Sequence, residues 1–186
     1  MEEVKLKIDA LRQLEIGFIG LGVMGYQMAA WTAKAGFSVS VYNRSSNVSE
    51  KWVKKFGGKN FSEPSELAET CDVVFICVGR DEDVLEVTSG KNGIFHTIKP
   101  GSLIVDHSTT SANLSRELGA IANQINCNFI DAPVSGGEKG AIDGKLAIMC
   151  GGSSESFNLA KSIMECYATK ISLMGPHGSG QLCKMV

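Results

Sequence analysis

The stretch Ile16-Gly17-Phe18-Ile19, followed directly by Gly20-Leu21-Gly22-Val23-Met24-Gly25, decides the fold. The short apolar run predicts a buried strand that stops at the first glycine of the second segment. The apolar spacing over residues 24–35 predicts a helix that ends at Gly36, and residues 38–42 predict a second strand. Strand, glycine turn, helix and strand within about 30 residues form a βαβ unit, whose crossover is almost always right-handed.

The alternation of strands and helices continues along the chain. The apolar run at 72–78 has no two-residue period, which is typical of a strand covered on both faces of a parallel sheet. After Pro133 the pattern changes, and Asp143-Gly144 before the run 146–149 predicts a hairpin turn and an antiparallel strand. The sequence therefore predicts an α/β fold, a Rossmann-like doubly wound parallel sheet with a C-terminal antiparallel extension. The remaining predicted elements are helices at 50–56, 64–69, 81 onward, 110–124, 157–167 and 181–186, and strands at 103–105, 128–130 and 171–173.

Length and composition exclude several classes of protein. A chain of 186 residues is one full domain plus a little, at roughly 150 residues per domain. A net charge of -2 argues against nucleic acid as a partner, and no apolar stretch reaches the roughly 18 residues of a membrane span. Six cysteines without a CxxC pair and three histidines without ligand spacing indicate no metal site and a reducing compartment. The acidic opening Met1-Glu2-Glu3 is unlike a basic leader, so we expect a cytoplasmic protein.

The glycine segment is a G-x-G-x-x-G motif in the context that gives the motif its meaning, after a strand and at the start of a helix. Gly20 allows the tight turn, Gly22 lets a pyrophosphate approach the backbone, and Gly25 lets helix and strand pack closely. The free amides and the dipole of the helix N-terminus favour a bound phosphate. The motif therefore predicts a dinucleotide site; a glycine-rich turn without a ligand is the alternative.

The end of the second strand predicts which dinucleotide is bound. An NAD site has a carboxylate there for the ribose 2′-hydroxyl, whereas this chain has Tyr42-Asn43-Arg44-Ser45-Ser46 and no acid before Glu50. The planar guanidinium of Arg44 can stack on adenine and pair with a 2′-phosphate. A charge-assisted contact of about 1.5–3 kcal/mol would favour NADP over NAD by roughly 10- to 100-fold. The alternative is a solvated arginine and a relaxed cofactor choice.

Two further clusters lie in the second half of the chain. Asp131-Ala132-Pro133-Val134-Ser135-Gly136-Gly137 follows a strand, so its serine hydroxyl and exposed amides could bind a carboxylate; another tight turn is equally compatible. Gly175-Pro176-His177-Gly178-Ser179-Gly180 leads into a helix on which Lys184 lies one turn after Gly180. An ammonium at that place could exchange a proton with a carbonyl oxygen as hydride reaches carbon, whereas most lysines near a chain end are surface lysines.

Together these residues resemble the β-hydroxyacid dehydrogenase family, which includes 3-hydroxyisobutyrate dehydrogenase, tartronate semialdehyde reductase and the glyoxylate/succinic semialdehyde reductases. The resemblance runs from about Glu15 to the last residue. It rests on four motifs in family order: the glycine segment, Asp106-His107-Ser108-Thr109, residues 131–137 and residues 175–184. Four ordered motifs are much more specific than any one of them.

The resemblance implies a role for each motif. Ser135, Gly136 and Gly137 would bind the substrate carboxylate, and Lys184 would be the general acid/base. The substrate would be a small hydroxyacid or semialdehyde, and the cofactor would be NADP rather than NAD. The implied cofactor-binding residues are Gly20, Leu21, Gly22, Val23, Met24, Gly25, Asn43, Arg44, Ser45, Val78 and Thr109.

The chain departs from the family pattern at its end. Family members continue with a long interdomain helix and an all-helical domain that covers the cleft and forms the dimer, and they carry an asparagine soon after the lysine. We therefore expect a lead-in at 1–14, a cofactor domain at 15–178 and the start of a truncated interdomain helix at 179–186. We expect the homo-oligomer of the parent protein to form through the helical domain. Because lid and water exclusion are absent, these residues alone should bind cofactor but turn over poorly.

Two other functions remain open. A dinucleotide-binding module without chemistry, such as a sensor or docking domain, would use the same fold but would not need a general acid at Lys184. A decarboxylating enzyme of the 6-phosphogluconate dehydrogenase type has a similar architecture. That enzyme would want a basic phosphate-binding cluster near residues 131–137, which the sequence does not show.

Overall fold

The computed structural model describes residues 10–186, in which a mostly parallel sheet separates two layers of helices. Residues 1–9, with most of the predicted lead-in and its acidic opening, lie outside the described residues. The strands are β1 Glu15–Ile19, β2 Ser38–Tyr42, β3 Lys59–Asn60, β4 Val73–Ile76, β5 Leu103–Asp106, β6 Asn128–Asp131, β7 Val134–Ser135, β8 Leu146–Gly151 and β9 Ala168–Gly175. The helices are α1 Val23–Lys34, α2 Ser46–Phe56, α3 Pro64–Thr70, α4 Asp81–Ser89, α5 Ala112–Gln124, α6 Gly137–Ile142, α7 Ser154–Met164 and α8 Ser179–Met185.

The strand order is β3-β2-β1-β4-β5-β6-β8-β7, with β9 paired to β8. The six strands from β3 to β6 are all parallel, while β8 runs antiparallel to β6 and β7. The chain order reverses between β1 and β4, and in an open α/β sheet ligands bind at that crevice, beyond the carboxyl ends of the strands. The topology therefore places a ligand-binding crevice beside residues 20–25, which we call the glycine loop.

Alternate residues of the central strands enter two separate apolar cores. In β4, Val73 and Phe75 pack on one face, with α1, α2, α6 and α7, whereas Val74 and Ile76 pack on the other, with α3, α4 and α5. The rings of Phe18 and Phe75 stack with their centroids 4.8 Å apart. Burial on both faces is why these strands read as continuous apolar runs rather than as alternating patterns.

The parallel sheet and the antiparallel β8 agree with the sequence prediction, but the predicted hairpin at Asp143-Gly144 is wrong. Residues 137–142 form α6 instead of a strand, and Asp143 is the C-cap of that helix. Gly144 takes a positive φ of 65° there, the backbone conformation that commonly ends a helix as well as a hairpin. The extension is also mixed rather than purely antiparallel, because β9 pairs with β8 in parallel.

Several elements are longer or shorter than predicted. Helix α2 begins at Ser46, four residues before the predicted start, and β9 spans Ala168–Gly175 rather than three residues. Helix α7 ends at Met164, and Tyr167 is a fully buried core residue instead of its last turn.

Across residues 10–186 no helix combines the length and the apolar character needed to cross a bilayer.

Candidate functional site

The glycine loop is a tight turn packed against β4. Gly20 has φ of 93°, and a Cβ there would overlap the carbonyl oxygen of Cys77. A Cβ on Gly25 would overlap the carbonyl oxygen of Gly20, whereas a Cβ on Gly22 would meet nothing within 4 Å. Two of the three glycines are therefore required by packing, and the third leaves open space at the N-cap of α1, a helix end with no capping side chain.

Asn43 ties the end of β2 to this loop. Its Oδ1 accepts a hydrogen bond of 2.9 Å from the backbone N–H of Leu21, and its Nδ2 donates to the carbonyl of Ser45 at 3.1 Å. Leu21 itself is 4% exposed and lines neither of the cavities described below. The Asn43 side chain thus shapes the turn, and the Leu21 N–H is already occupied.

Two cavities open along the carboxyl edge of the sheet. The first, of about 420 Å³, extends from the glycine loop to the end of β2 and to Asp83, Glu86 and Val87 of α4. The second, of about 340 Å³, lies between Thr109, the 134–137 loop and Lys184. Both are lined by Met24, Cys77, Val78 and Gly79, so they form one continuous cleft. We call this the dinucleotide cleft.

The dinucleotide cleft brings together all but two of the residues singled out from the sequence. Leu21 and Gly25 belong to the glycine loop but line neither cavity. The first cavity is lined by Gly20, Gly22, Val23, Met24, Asn43, Arg44, Ser45 and Val78, and the second by Met24, Val78, Thr109, Ser135, Gly136, Gly137 and Lys184. The four sequence motifs, which are far apart in the chain, therefore meet along one surface.

Lys184 lies at the far end of the cleft, on the last turn of α8. Its Nζ donates a 2.7 Å hydrogen bond to the carbonyl oxygen of Val134, directly before Ser135. Gly136 and Gly137 have φ of 130° and 61°, and a Cβ on Gly137 would meet nothing within 4 Å. The ammonium is thus fixed beside an exposed loop whose backbone is open to a small ligand.

The loop after β5 is held by buried polar groups. Oδ1 of Asp106 accepts from the N–H of Ser108, and the hydroxyl oxygen of Ser108 accepts from the N–H of Val78, at 2.9 and 3.0 Å. Burial raises the pKa of Asp106 to about 7, and the Asp131 carboxylate on the neighbouring strand acts in the same direction. The Oδ2 atom of Asp106 has no hydrogen-bond partner within the described part of the chain.

His107 lines the second cavity, but both of its ring nitrogens are bonded within the protein. One ring nitrogen bonds the carbonyl of Ala132 at 2.7 Å, and the other bonds the hydroxyl of Tyr167 at 2.9 Å. Its ring also stacks on Phe75, with centroids 5.5 Å apart. Burial lowers the pKa of His107 to about 4, so the ring is neutral at physiological pH.

Sequence reasoning missed several residues of the cleft and its support. Asp83, Glu86 and Val87 line the first cavity, and Asp131 and Gln181 hold α8 in place behind the second. Cys77 and Gly79, the neighbours of Val78 at the carboxyl end of β4, line both cavities, as their position next to the strand reversal indicates. Asp83 and Glu86 carry no such signal, since acids in the first turns of a helix are common for electrostatic reasons alone.

Within residues 10–186, His, Cys, Asp and Glu side chains do not gather in any group of three or more that could hold a metal ion. The six cysteines of this range are free thiols. Burial raises the pKa of Cys77 and Cys150, each to about 12. These thiols therefore remain protonated and pack as small apolar side chains.

The sheet order and the cleft define the chain as a dinucleotide-binding α/β domain. A family model described as the NAD binding domain of 6-phosphogluconate dehydrogenase matches residues 15–175, and the chain belongs to this family. Within it, the curated relatives place the chain with the β-hydroxyacid dehydrogenase type.

The curated relatives include a probable 3-hydroxyisobutyrate dehydrogenase-like 2 protein, mitochondrial, from Arabidopsis thaliana, 39% identical over 185 residues. That match covers 100% of this chain and 61% of the relative. The mitochondrial 3-hydroxyisobutyrate dehydrogenase of Mus musculus is 36% identical over 170 residues, 91% of this chain and 50% of the relative. The chain thus spans about half to three fifths of the length of these relatives.

Solved structures are likewise similar to this chain over part of their length. A Mycobacterium tuberculosis 3-hydroxyisobutyrate dehydrogenase with L-serine superposes with a TM-score of 0.87 at 32% identity, covering 92% of this chain and 57% of that one. Psf3 in complex with NADP+ and 2-OPP superposes with a TM-score of 0.87 at 27% identity, covering 91% of this chain and 60% of that one. The chain is therefore an NAD(P)-binding domain of β-hydroxyacid dehydrogenase type.

Proposed function

We propose that the chain is the NADP-binding part of an oxidoreductase that transfers hydride between NADPH and a small semialdehyde or 2-oxo acid, or the matching hydroxyacid. The observation that carries this proposal is the single dinucleotide cleft, which extends from Arg44 at one end to Lys184 at the other. A sensor module would need only the end of the cleft near Arg44, where the cofactor would bind. A cleft that continues to a positioned ammonium beside an open glycine loop favours chemistry.

The residues present fit a dinucleotide. The space above Gly22, which a Cβ could enter freely, lies at the uncapped N-terminus of α1, where backbone N–H groups and the helix dipole favour a pyrophosphate. Arg44 and Ser45 would bind the 2′-phosphate, and Asn43 would keep the glycine loop in its binding conformation. Val78 and Thr109 would contact the dinucleotide along the cleft floor. The bound cofactor would supply or accept the hydride.

At the other end, Lys184 would be the general acid/base. Its Nζ already donates one hydrogen bond to the carbonyl oxygen of Val134 and keeps two further N–H donors for a ligand. Those donors would hold the substrate oxygen and give it a proton as carbon is reduced, or take the proton back in oxidation. Ser135, Gly136 and Gly137 would bind the substrate carboxylate through the serine hydroxyl and backbone amides. The proposed substrates are of the 3-hydroxyisobutyrate, tartronate semialdehyde, glyoxylate or succinic semialdehyde class.

The cofactor assignment is tested by fluorescence titration of the chain with NADPH and NADH. We expect NADPH to bind more tightly, and Arg44→Ala to weaken NADPH binding by roughly 10- to 100-fold while NADH changes little. Lys91→Ala is the matched control, because it removes one exposed positive charge from a turn outside the cleft lining. Unchanged NADPH affinity in Arg44→Ala would refute the role of Arg44.

The catalytic assignment is tested by Lys184→Ala in the full-length protein, with turnover and NADPH affinity measured side by side. We expect turnover to fall by at least roughly 100-fold, as general acid–base groups typically contribute that much, with cofactor affinity unchanged. Lys145→Ala serves as control, since Lys145 lines neither cavity. Unchanged turnover in Lys184→Ala would favour the non-catalytic sensor or docking module.

The proposed domain limits are 15–178 for the cofactor domain and 179–186 for the start of an interdomain helix. We propose that a helical domain beyond it forms the homo-oligomer of the parent protein and covers the cleft. We propose a cytoplasmic location, whereas several relatives are named as mitochondrial. Imaging the tagged full-length protein in cells, with mitochondria stained, tests this location.

A further inference from the structure

Arg44 has a carboxylate partner on the opposite wall of the dinucleotide cleft. Its Nη1 lies 3.7 Å from Oδ1 of Asp83. Arg44 follows β2, whereas Asp83 lies in the first turn of α4, and both side chains line the first cavity. The ion pair therefore crosses the outer end of the cavity, where the adenosine half of a dinucleotide would enter.

The two partners are held very differently. The Arg44 side chain is 91% exposed, while that of Asp83 is 31% exposed. Oδ2 of Asp83 lies 3.8 Å from Nε of Arg80, whose guanidinium also lies near Glu82. Asp83 is thus anchored on α4, and the arginine is the partner that can swing toward another anion.

We propose that Asp83 is a specificity-determining residue that competes with the cofactor 2′-phosphate for the Arg44 guanidinium. This inference rests on the proposed role of Arg44. In the free chain, Arg44 is drawn toward Asp83, and a 2′-phosphate must displace that carboxylate to obtain a full bidentate contact. The Asp83 charge also repels a phosphate placed beside Arg44. Asp83 therefore lowers the affinity for 2′-phosphorylated ligands and leaves ligands without that phosphate almost unaffected.

Glu86 makes the inference testable against a simple charge effect. It lies one helical turn after Asp83 and lines the same cavity, but no ion pair joins it to Arg44 among the described residues. A general negative field in the cavity would make Asp83→Asn and Glu86→Gln equivalent. Competition for the guanidinium makes Asp83→Asn the stronger variant and makes its effect depend on Arg44.

The experiment is isothermal titration of the chain with 2′,5′-ADP and with 5′-AMP, two ligands that differ only by the 2′-phosphate. The proteins are the wild type, Asp83→Asn, Glu86→Gln, Arg44→Ala and the double variant Arg44→Ala/Asp83→Asn. We expect Asp83→Asn to tighten 2′,5′-ADP binding by roughly 3- to 10-fold at low salt, a range suited to an exposed pair and a nearby repulsion. The affinity for 5′-AMP should change by less than about 2-fold, and the gain should shrink at high ionic strength.

The double variant separates the possible failures. If Asp83→Asn gives the same gain with and without Arg44, or if Glu86→Gln gives an equal gain, competition for the guanidinium is wrong. If Arg44→Ala weakens 2′,5′-ADP binding but Asp83→Asn leaves it unchanged, only the role of Asp83 fails. If Arg44→Ala leaves the preference for 2′,5′-ADP over 5′-AMP unchanged, the proposed role of Arg44 and this inference fail together. Asp83→Ser, checked for folding by circular dichroism, repeats the test should Asp83→Asn fold poorly.

Discussion

Asp131 and Gln181 lie 50 residues apart in the chain and are joined by a 3.1 Å hydrogen bond, in which the backbone N–H of Gln181 donates to Oδ2 of Asp131. Oδ1 of the same carboxylate accepts from the N–H of Gly178 at 2.7 Å. The end of β6 therefore caps α8 with a buried carboxyl group that accepts two of the backbone N–H groups at the start of this helix. Lys184 lies less than one turn further along that helix, so β6 determines where the ammonium is placed.

The Gln181 side chain continues this connection to the loop after β5. Its Oε1 accepts from the N–H of Thr110 at 3.1 Å, and its Nε2 donates to the carbonyl of Ser108 at 2.8 Å. The residue is fully buried. One side chain thus links the helix that carries Lys184 to the loop that carries Thr109. The two flanks of the second cavity are therefore fixed relative to each other.

Gln181→Met removes that link while keeping a side chain of similar length. It leaves the N–H of Thr110 and the carbonyl of Ser108 buried without partners, so we expect a loss of about 2–4 kcal/mol in the free energy of unfolding. Urea unfolding measures the loss, and hydrogen exchange of the amides in α8 should accelerate with it. Gln124→Met, at the exposed end of α5, is the matched control. If Gln181→Met is as stable as Gln124→Met, the hydrogen bonds of the Gln181 side chain contribute nothing to stability.

The first and third glycines of the motif differ from the second in what replacement should do. Gly25→Ala forces a methyl group against the carbonyl of Gly20, and overpacking of this kind costs about 1–3 kcal/mol or more. Gly22→Ala meets open space at φ of -67°, so its free energy of unfolding should stay within about 1 kcal/mol of the wild type.

In NADPH affinity the order of the two variants should be reversed, with Gly22→Ala the more damaging. The Gly22→Ala methyl group would occupy the approach of the pyrophosphate, so we expect at least roughly a 10-fold loss of affinity in a protein that unfolds normally. A Gly22→Ala variant that binds NADPH as the wild type does would place the pyrophosphate elsewhere. Within one six-residue motif, Gly25→Ala thus tests the effect on stability and Gly22→Ala tests the effect on cofactor binding.

The sequence predicted the structure best at positions where the local backbone or its surroundings accept only one type of residue. The positive φ at Gly20 and the contact at Gly25 need glycine, and the buried strands need apolar residues on both faces, so the βαβ unit was predictable. Asp143-Gly144 was not, because a glycine with positive φ ends helices and hairpins alike. The residues that hold the site in place could not be predicted from the sequence either. The roles of Asp131 and Gln181 exist only once β6 and α8 are packed together, and neither residue type signals that contact.

Asp106 should make stability depend on pH. Its pKa is about 7 in the folded protein against an ordinary value of 3.8, so between these values the folded state binds more protons than the unfolded state. Its contribution to stability is therefore complete below pH 3.8 and is lost as the pH rises through 7. Asp106→Asn lacks this titration. We expect the unfolding free energy of the variant, relative to the wild type, to rise with a slope approaching 1.4 kcal/mol per pH unit from pH 5 to about 7, and to level off above.

Urea unfolding of both proteins at pH 5, 6, 7 and 8 measures that difference. His107 titrates in the opposite sense, because its pKa is lowered to about 4, and stability tied to it falls as the pH drops below about 6.5. Taking the difference between variant and wild type removes the His107 contribution, since both proteins carry this residue. A difference that does not change with pH would show that Asp106 is ionised in the folded protein throughout the range.

Ser108 holds the floor of the dinucleotide cleft, since its hydroxyl oxygen accepts from the N–H of Val78 and Val78 lines both cavities. Ser108→Ala leaves that N–H without its acceptor, and we expect a loss of about 1–3 kcal/mol in the free energy of unfolding, together with weaker NADPH binding. Ser115→Ala is the matched control. Ser115 is equally buried, but its hydroxyl donates within its own helix to the carbonyl of Ser111, which also accepts a backbone N–H. Its removal should cost less than about 1 kcal/mol and leave NADPH affinity unchanged. Equal losses of stability and affinity in the two variants would mean that the Ser108–Val78 bond does not shape the cleft.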